Sequence, residues 1–224
     1  MNDLRQFHSC ATLYEPGPLG SFALVSYIPE PYRKLLDSLR PCIPGRQLPP
    51  LHITVLPPLH ITVLPPRPLR LAIELACSEV ADAAAGVSPF EAELSGFGHF
   101  AETDYLHLDI AEGSDRLSQL HERLNTGPLK HIEAHEFRPH LTLGGPIPQV
   151  ELTAAHQRTA HRWRTSSFPR RVLIEELVCL WLAPNADNHE WIRHGSGLLN
   201  APPDSPQPSG VAITTRLHTS KMLS

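Results

Sequence analysis

The sequence predicts an α+β fold with a mixed or antiparallel sheet, and three observations carry that reading. Short runs with period-two alternation or unbroken apolar character interleave with longer stretches of helical periodicity. Proline and glycine break these segments apart, with 24 Pro, concentrated around Pro41 to Pro68 and after Pro202, and 13 Gly in 224 residues. Finally, two His-x-Thr tetrads each follow a helical stretch, so the two halves of the chain look alike.

Taken in order, residues 1–19 read as a flexible lead-in ending at Pro16-Gly17-Pro18. Phe22 to Ile28 is nearly all apolar, as a buried central strand is. Pro31 fits the first turn of a helix, and Tyr32, Leu35, Leu36 and Leu39 follow at helical spacing. A block Leu-His-Ile-Thr-Val-Leu-Pro-Pro then occurs twice, at 51–58 and 59–66. An eight-residue repeat is too short for a solenoid unit, and reads as a local duplication of which one copy is needed for a strand. The period is even, so either copy keeps the same face inward. Copy two is favoured because Pro66-Arg67-Pro68 leads directly into the next helix, expected over Leu69 to Ala85 with Leu71, Leu75, Ala76 and Val80 on its apolar face and Gly86 as its stop. Phe90 to Leu94 and Tyr105 to Ile110 alternate as strands with one wet face. Ser114 is the expected N-cap of a helix carrying Leu117, Leu120 and Leu124. Pro139 to Leu143 is the second tetrad strand. Thr153 to Trp163 reads as a helix, Arg171 to Leu182 as a strand or strand pair, and Glu190 to Ile192 as a short last strand. The body is thus 20–199, and 200–224 is a disordered tail of low complexity.

Composition narrows the function. A net charge of −4 provides no global basic field, which argues against a tight, sequence-independent nucleic-acid binder but leaves small phosphorylated or cyclic nucleotides open. Cys10, Cys42, Cys77 and Cys179 form no C-x-x-C and read as idle thiols in a reducing cytoplasm. No apolar run is long enough to span a membrane and the first residues lack a secretory pattern, so a cytoplasmic protein is expected.

The chemistry lies in the tetrads. On a strand, His and the Thr two positions later share one face while the residue between them points to the other. His60 and Thr62, or His52 and Thr54 of the first copy, together with His140 and Thr142, would supply two imidazoles and two hydroxyls. That set suits a phosphodiester: one His as base, one as acid, and hydroxyls donating to phosphate oxygens.

His60-Ile61-Thr62-Val63-Leu64-Pro65-Pro66-Arg67-Pro68-Leu69, with Phe137-Arg138-Pro139-His140-Leu141-Thr142-Leu143, resembles the 2H phosphoesterase superfamily, and within it the bacterial 2′-5′ RNA ligase-like, cyclic phosphodiesterase branch. The resemblance covers Phe22 to Leu199. It implies two pseudo-symmetric lobes with helices outside and the tetrads facing each other across a groove. It implies a metal-independent, cofactor-free phosphoesterase acting on a 2′,3′-cyclic phosphate or a 2′-5′ phosphodiester of RNA or a nucleotide, expected as a monomer. By the same resemblance His60 and His140 are catalytic and Thr62 and Thr142 bind phosphate, with His52 and Thr54 as the alternative copy. The doubled motif departs from the family pattern. A second reading is therefore a non-catalytic RNA- or nucleotide-binding module that keeps the groove.

Other residues admit plainer roles. His131 and His135 have the i, i+4 spacing of zinc ligands without an H-E-x-x-H, and His156 and His161 are five apart, so metallohydrolase chemistry is a minor reading. His8, His99, His189, His194 and His218 read as surface residues. His107 sits on the polar face of its strand, within reach of the groove or simply exposed. Tyr27, Tyr105, Phe168 and Trp163 fit packing better than base stacking. Arg67 fits either a phosphate contact or a solvated loop.

Overall fold

The computed structural model describes residues 17–39, 60–100, 104–133, 135–145, 147–168, 170–184 and 191–200. The first repeat copy, the lead-in through residue 16 and the tail from residue 201 lie outside these. Strand β1 (Ser21–Tyr27) is followed by helix α1 (Tyr32–Asp37), β2 (His60–Pro68), α2 (Ile73–Ala85), β3 (Phe90–Phe100), β4 (Tyr105–Ile110), α3 (Ser114–Leu124), β5 (His140–Gly144), α4 (Gln149–Thr165), β6 (Arg171–Ile174), β7 (Glu176–Leu182) and β8 (Ile192–Leu198). The strands form one eight-stranded sheet in the order β6-β3-β4-β5-β2-β1-β7-β8, and every pairing is antiparallel. The α+β expectation holds.

The sheet divides into two alike halves. Each has a tetrad strand at the middle, β2 or β5, paired with the strand that precedes it through a helix, β1 or β4. The outer strands are exchanged: β3 follows α2 yet pairs with β4, while β7 pairs with β1. The two tetrad strands lie side by side at the seam, joined through Ile61 and Leu141. The strand pair expected over Arg171 to Leu182 is split by the single residue Glu175, and its members go to opposite halves. Since two residues of strand span only about 7 Å, the sheet is bent enough to bring β6 beside β7.

Several boundaries differ from the sequence reading, each for a local reason. Helix α2 starts at Ile73 because β2 stays paired through Pro68, opposite Ser21, and Leu75 faces solvent. Strand β3 runs six residues past Leu94, through a register shift between Leu94 and Phe97. Gly113, at φ 84°, is the N-cap of α3, so Ser114 is the first helical residue and not the cap. Helix α4 gains a turn at its start, and α1 buries Leu36 while Tyr32 and Leu35 stay exposed.

The main core lies between the sheet and its helices. Phe22 and Leu24 of β1, Ile61 and Val63 of β2, Leu108 of β4 and Leu141 of β5 meet Ala76 and Val80 of α2 and Leu117 and Leu120 of α3. Strand β1 also buries Ala23 and Val25 on its other face, which accounts for its unbroken apolar run.

Two polar contacts fix the middle of this arrangement. Arg67 is buried at 2% exposure, so the phosphate and solvated-loop readings both fall. Its guanidinium donates to Glu133 Oε1 at 2.5 Å, Asn125 Oδ1 at 2.9 Å and the Leu129 carbonyl at 3.0 Å. It thereby ties β2 to the segment that leads into β5. His121 of α3, also buried, is hydrogen-bonded through Nδ1 to the Val63 carbonyl at 2.8 Å and stacks on Phe137 at 4.0 Å. Removing one member of a buried ion pair leaves the other uncompensated. Glu133→Leu is therefore expected to lower the unfolding free energy by about 3 kcal/mol, measured by urea denaturation; a change below about 0.5 kcal/mol would mean that the pair behaves as a surface one.

Candidate active site

Strand register decides what the tetrads share. Ile61 and Leu141 are the central residues of their tetrads, and they are partners across the seam. Both are fully buried, toward the helices. One residue further either way, antiparallel pairing sets position 60 opposite 142 and position 62 opposite 140. Each tetrad's His position therefore meets the other tetrad's Thr position. The two His positions are diagonal neighbours, which in a sheet means roughly 7–8 Å apart at the backbone.

The pairings extend this into two rows across the sheet. One row runs through Val25, Thr62, His140 and Asp109. The next runs through Tyr27, position 60, Thr142, His107 and Gly98. Thr62, His140 and Thr142 are all half-buried, as groups at the floor of a site must be. The second repeat copy thus supplies strand β2, while His52 and Thr54 lie outside the described residues.

The surroundings of His140 are specific. Its Nδ1 lies 2.7 Å from the Arg138 carbonyl, to which it donates. A neutral imidazole held in that way carries its lone pair on Nε2. Phe100 of β3 meets the ring edge-on at 4.7 Å, and His107 does so at 5.5 Å. The exposed Arg138 guanidinium stands over the same Phe100 ring, 6.0 Å from its centre.

His107 is not a plain surface residue: it is only 4% exposed. It stacks on Phe100 at 4.0 Å, and its Nε2 lies 3.2 Å from Asp109 Oδ1. Two glycines of β3 leave room for this pair. A Cβ on Gly98 would stand 2.8 Å from His107 Nε2, and one on Gly96 would stand 2.6 Å from Asp109 Oδ2. The sequence reading marks neither glycine, although Ser95-Gly96-Phe97-Gly98 within a strand is the pattern of a close approach.

Burial pushes the His107 pKa below its ordinary value, with the Asp109 carboxylate pulling the other way. Burial likewise raises that of the half-buried Tyr27, beside position 60 in the register. The remaining candidates fall elsewhere. Trp163 is buried, with Nε1 donating to the Ser95 carbonyl at 3.0 Å, and Phe168 stacks on it, so both are packing residues. His99 and His194 are exposed. Among the described residues, no three His, Cys, Asp or Glu side chains gather closely enough to hold a metal ion.

The His107 shift carries a signed consequence. Its folded pKa is depressed, so below the unfolded value of about 6.5 the unfolded chain takes up a proton that the folded chain refuses. Unfolding free energy should therefore fall as pH drops below that point. In His107→Gln this part of the slope should vanish, as read from urea midpoints at pH 7 and pH 5. An unchanged slope would mean that His107 protonates freely in the fold.

The sequence pattern of the 2′-5′ RNA ligase superfamily matches residues 28–185. A protein of Halalkalibacterium halodurans, provisionally named a phosphoesterase, is 35% identical over 113 residues, 50% of this chain and 61% of that relative. The match thus spans less than two thirds of the relative's length. Among solved structures, E. coli LigT in complex with 3′-AMP aligns with a TM-score of 0.55 at 15% identity, over 80% of this chain and 98% of that one. TT0787 of Thermus thermophilus aligns with a TM-score of 0.52 at 18% identity, over 80% and 97% of the two chains. Those likenesses concern the fold. The family match covers most of the chain, along with both tetrad strands, and on it the chain belongs to the 2′-5′ RNA ligase superfamily.

Proposed function

We propose that this chain is a phosphoesterase that opens a 2′,3′-cyclic phosphate, or cleaves a 2′-5′ phosphodiester, of RNA or a nucleotide without a metal ion. The observation that carries the reading is the register at the seam, with Ile61 opposite Leu141. It relates the two tetrads by local two-fold symmetry, which supports the reading that one phosphate meets a His and a Thr of each tetrad.

In this reading a water attacks phosphorus. One tetrad imidazole takes the water's proton as the new P–O bond forms. The other gives a proton to the ribose oxygen that leaves, and a phosphomonoester results. His60 and His140 fill these two roles. For His140 the bond from Nδ1 to the Arg138 carbonyl assigns the exchange to Nε2. Thr62 and Thr142 donate to non-bridging oxygens, where charge builds up in the transition state. The exposed Arg138, whose guanidinium stands over the Phe100 ring that meets His140, would balance the charge of the incoming phosphate. The ligand in the E. coli LigT complex, 3′-AMP, is a nucleotide carrying a terminal phosphate, which agrees with a substrate of this size and charge.

The test is turnover of a nucleoside 2′,3′-cyclic phosphate in EDTA, followed as monophosphate on an anion-exchange column. The proposal expects product, and it expects His60→Ala and His140→Ala each to lose on the order of 10²–10⁴-fold in kcat while remaining folded. A folded His140→Ala protein with full activity would overturn it, as would loss of activity on chelation. The pH profile of kcat/KM should be bell-shaped, with limbs around the ordinary imidazole value of about 6.5, because one ring must be neutral and the other protonated. A profile that only rises with pH would remove the acid from the scheme.

A further inference from the structure

The two-fold symmetry of the seam extends one strand outward in the backbone but not in the side chains. Each tetrad strand has an outer neighbour, β1 beside β2 and β4 beside β5, and the two registers match position for position. Thr62 pairs with Val25, and Thr142 with His107. His60 pairs with Tyr27, and His140 with Asp109. Identical tetrad positions thus have unlike partners: a phenol beside one His, a carboxylate beside the other. Register partners share a face of the sheet, with Cβ atoms about 5 Å apart.

The carboxylate is held in place. The Asp109 side chain is 47% exposed, and its Oδ1 lies 3.2 Å from His107 Nε2. A carboxylate only accepts, so Nε2 carries the hydrogen and donates it. Burial, the largest influence on His107, holds its pKa below the ordinary value, so the ring is neutral at pH 7. His107 therefore fixes Asp109 without cancelling its charge. Gly96 leaves the space for it, since a Cβ there would stand 2.6 Å from Oδ2.

The other side carries no such charge. Burial raises the pKa of Tyr27, so the phenol stays neutral wherever an imidazole titrates. Arg193 and Glu176, the charged groups felt by Tyr27, are paired with each other at 2.6 Å. Around His140 stand His107 and Asp109 from β4, Arg138 from its own approach and position 60 from β2, while β3 presents the uncharged Phe100. Asp109 is the acid of this group. Arg138 opposes it, but as an exposed cation its field is screened by salt. The Arg138 carbonyl accepts from His140 Nδ1, and such a bond is stronger when the ring is charged.

We propose that Asp109 is a positioning residue that breaks the symmetry of the site: its charge keeps His140 protonated as the general acid, while the neutral Tyr27 leaves His60 unprotonated as the general base. The roles of acid and base rest on the proposed phosphoesterase reading; the difference in protonation between the two rings does not. As water attacks, its oxygen bonds to phosphorus and its proton passes to His60. The bond from phosphorus to the ribose oxygen breaks, and that oxygen takes the proton from His140 Nε2. Exchange with solvent then returns each ring to its starting form.

The experiment titrates the histidine side chains of the full chain by nitrogen-15 NMR in wild type and Asp109→Asn, with signals assigned from His60→Gln and His140→Gln. Asparagine keeps an Oδ1 acceptor for His107 and removes only the charge, and the position is half-exposed, so folding is not at stake. In wild type His140 should titrate at a higher pH than His60. In Asp109→Asn its midpoint should fall by about 0.5–1 pH unit, with that of His60 moving far less. The alkaline limb of kcat/KM on a nucleoside 2′,3′-cyclic phosphate should fall by the same amount while the acid limb stays. If the wild type turns over no cyclic phosphate, the phosphoesterase reading fails and the NMR midpoints alone judge Asp109. A His140 midpoint indifferent to Asp109→Asn, a His60 midpoint above that of His140, or an alkaline limb that stays in place would overturn the inference.

Discussion

One antiparallel contact at the centre of the sheet, Ile61 against Leu141, sets everything else. Both side chains are fully buried toward the helices, so the contact is held by apolar burial on one face. Because strand residues alternate, the same contact determines what lies on the opposite face. A slip of one residue would turn Thr62 and Thr142 into the core and Ile61 and Leu141 out of it. Hydrophobic burial on one side thus enforces the polar constellation on the other.

The contact is short, with a single partnered pair at the seam, and side-chain interactions from outside the sheet support it. Arg67, on β2, grips Asn125, Leu129 and Glu133 in the approach to β5. His121, on α3, is bonded to the β2 backbone at Val63 and stacks on Phe137, three residues before His140. Both link the first tetrad strand to the segment that delivers the second. On the far side of His140, Phe100 and His107 pack against its ring, and Asp109 is engaged with His107, in space left by Gly96 and Gly98. His140 is therefore held by its own Arg138 carbonyl, by an aromatic ring and by a buried imidazole.

The tetrads were legible in the sequence because alternation, flanking prolines and apolar neighbours are local signals. So were most elements, including the buried β1, whose two apolar faces show as an unbroken run. What stayed hidden depends on partners far along the chain. Arg67 reads as a loop residue until Glu133, 66 positions away, is seen beside it. The burial of His107 follows from the β3–β4 register and from the length of β3, and neither can be read from Tyr105 to Ile110 alone. The division of Arg171 to Leu182 between the two halves is likewise a matter of sheet order, since both pieces have ordinary strand composition. The repeat left two histidines eligible for one position; the strand is built from the copy containing His60, by way of the short lead into α2 that the sequence offered.

The central claim is that the imidazoles at 60 and 140 serve one phosphate. The most direct measurement follows the histidine side-chain signals by nitrogen-15 NMR while inorganic phosphate is added, with assignments from His60→Gln and His140→Gln. The account predicts that both signals move along one binding curve with a single dissociation constant. Movement of one signal alone, or of two with different dissociation constants, would contradict it.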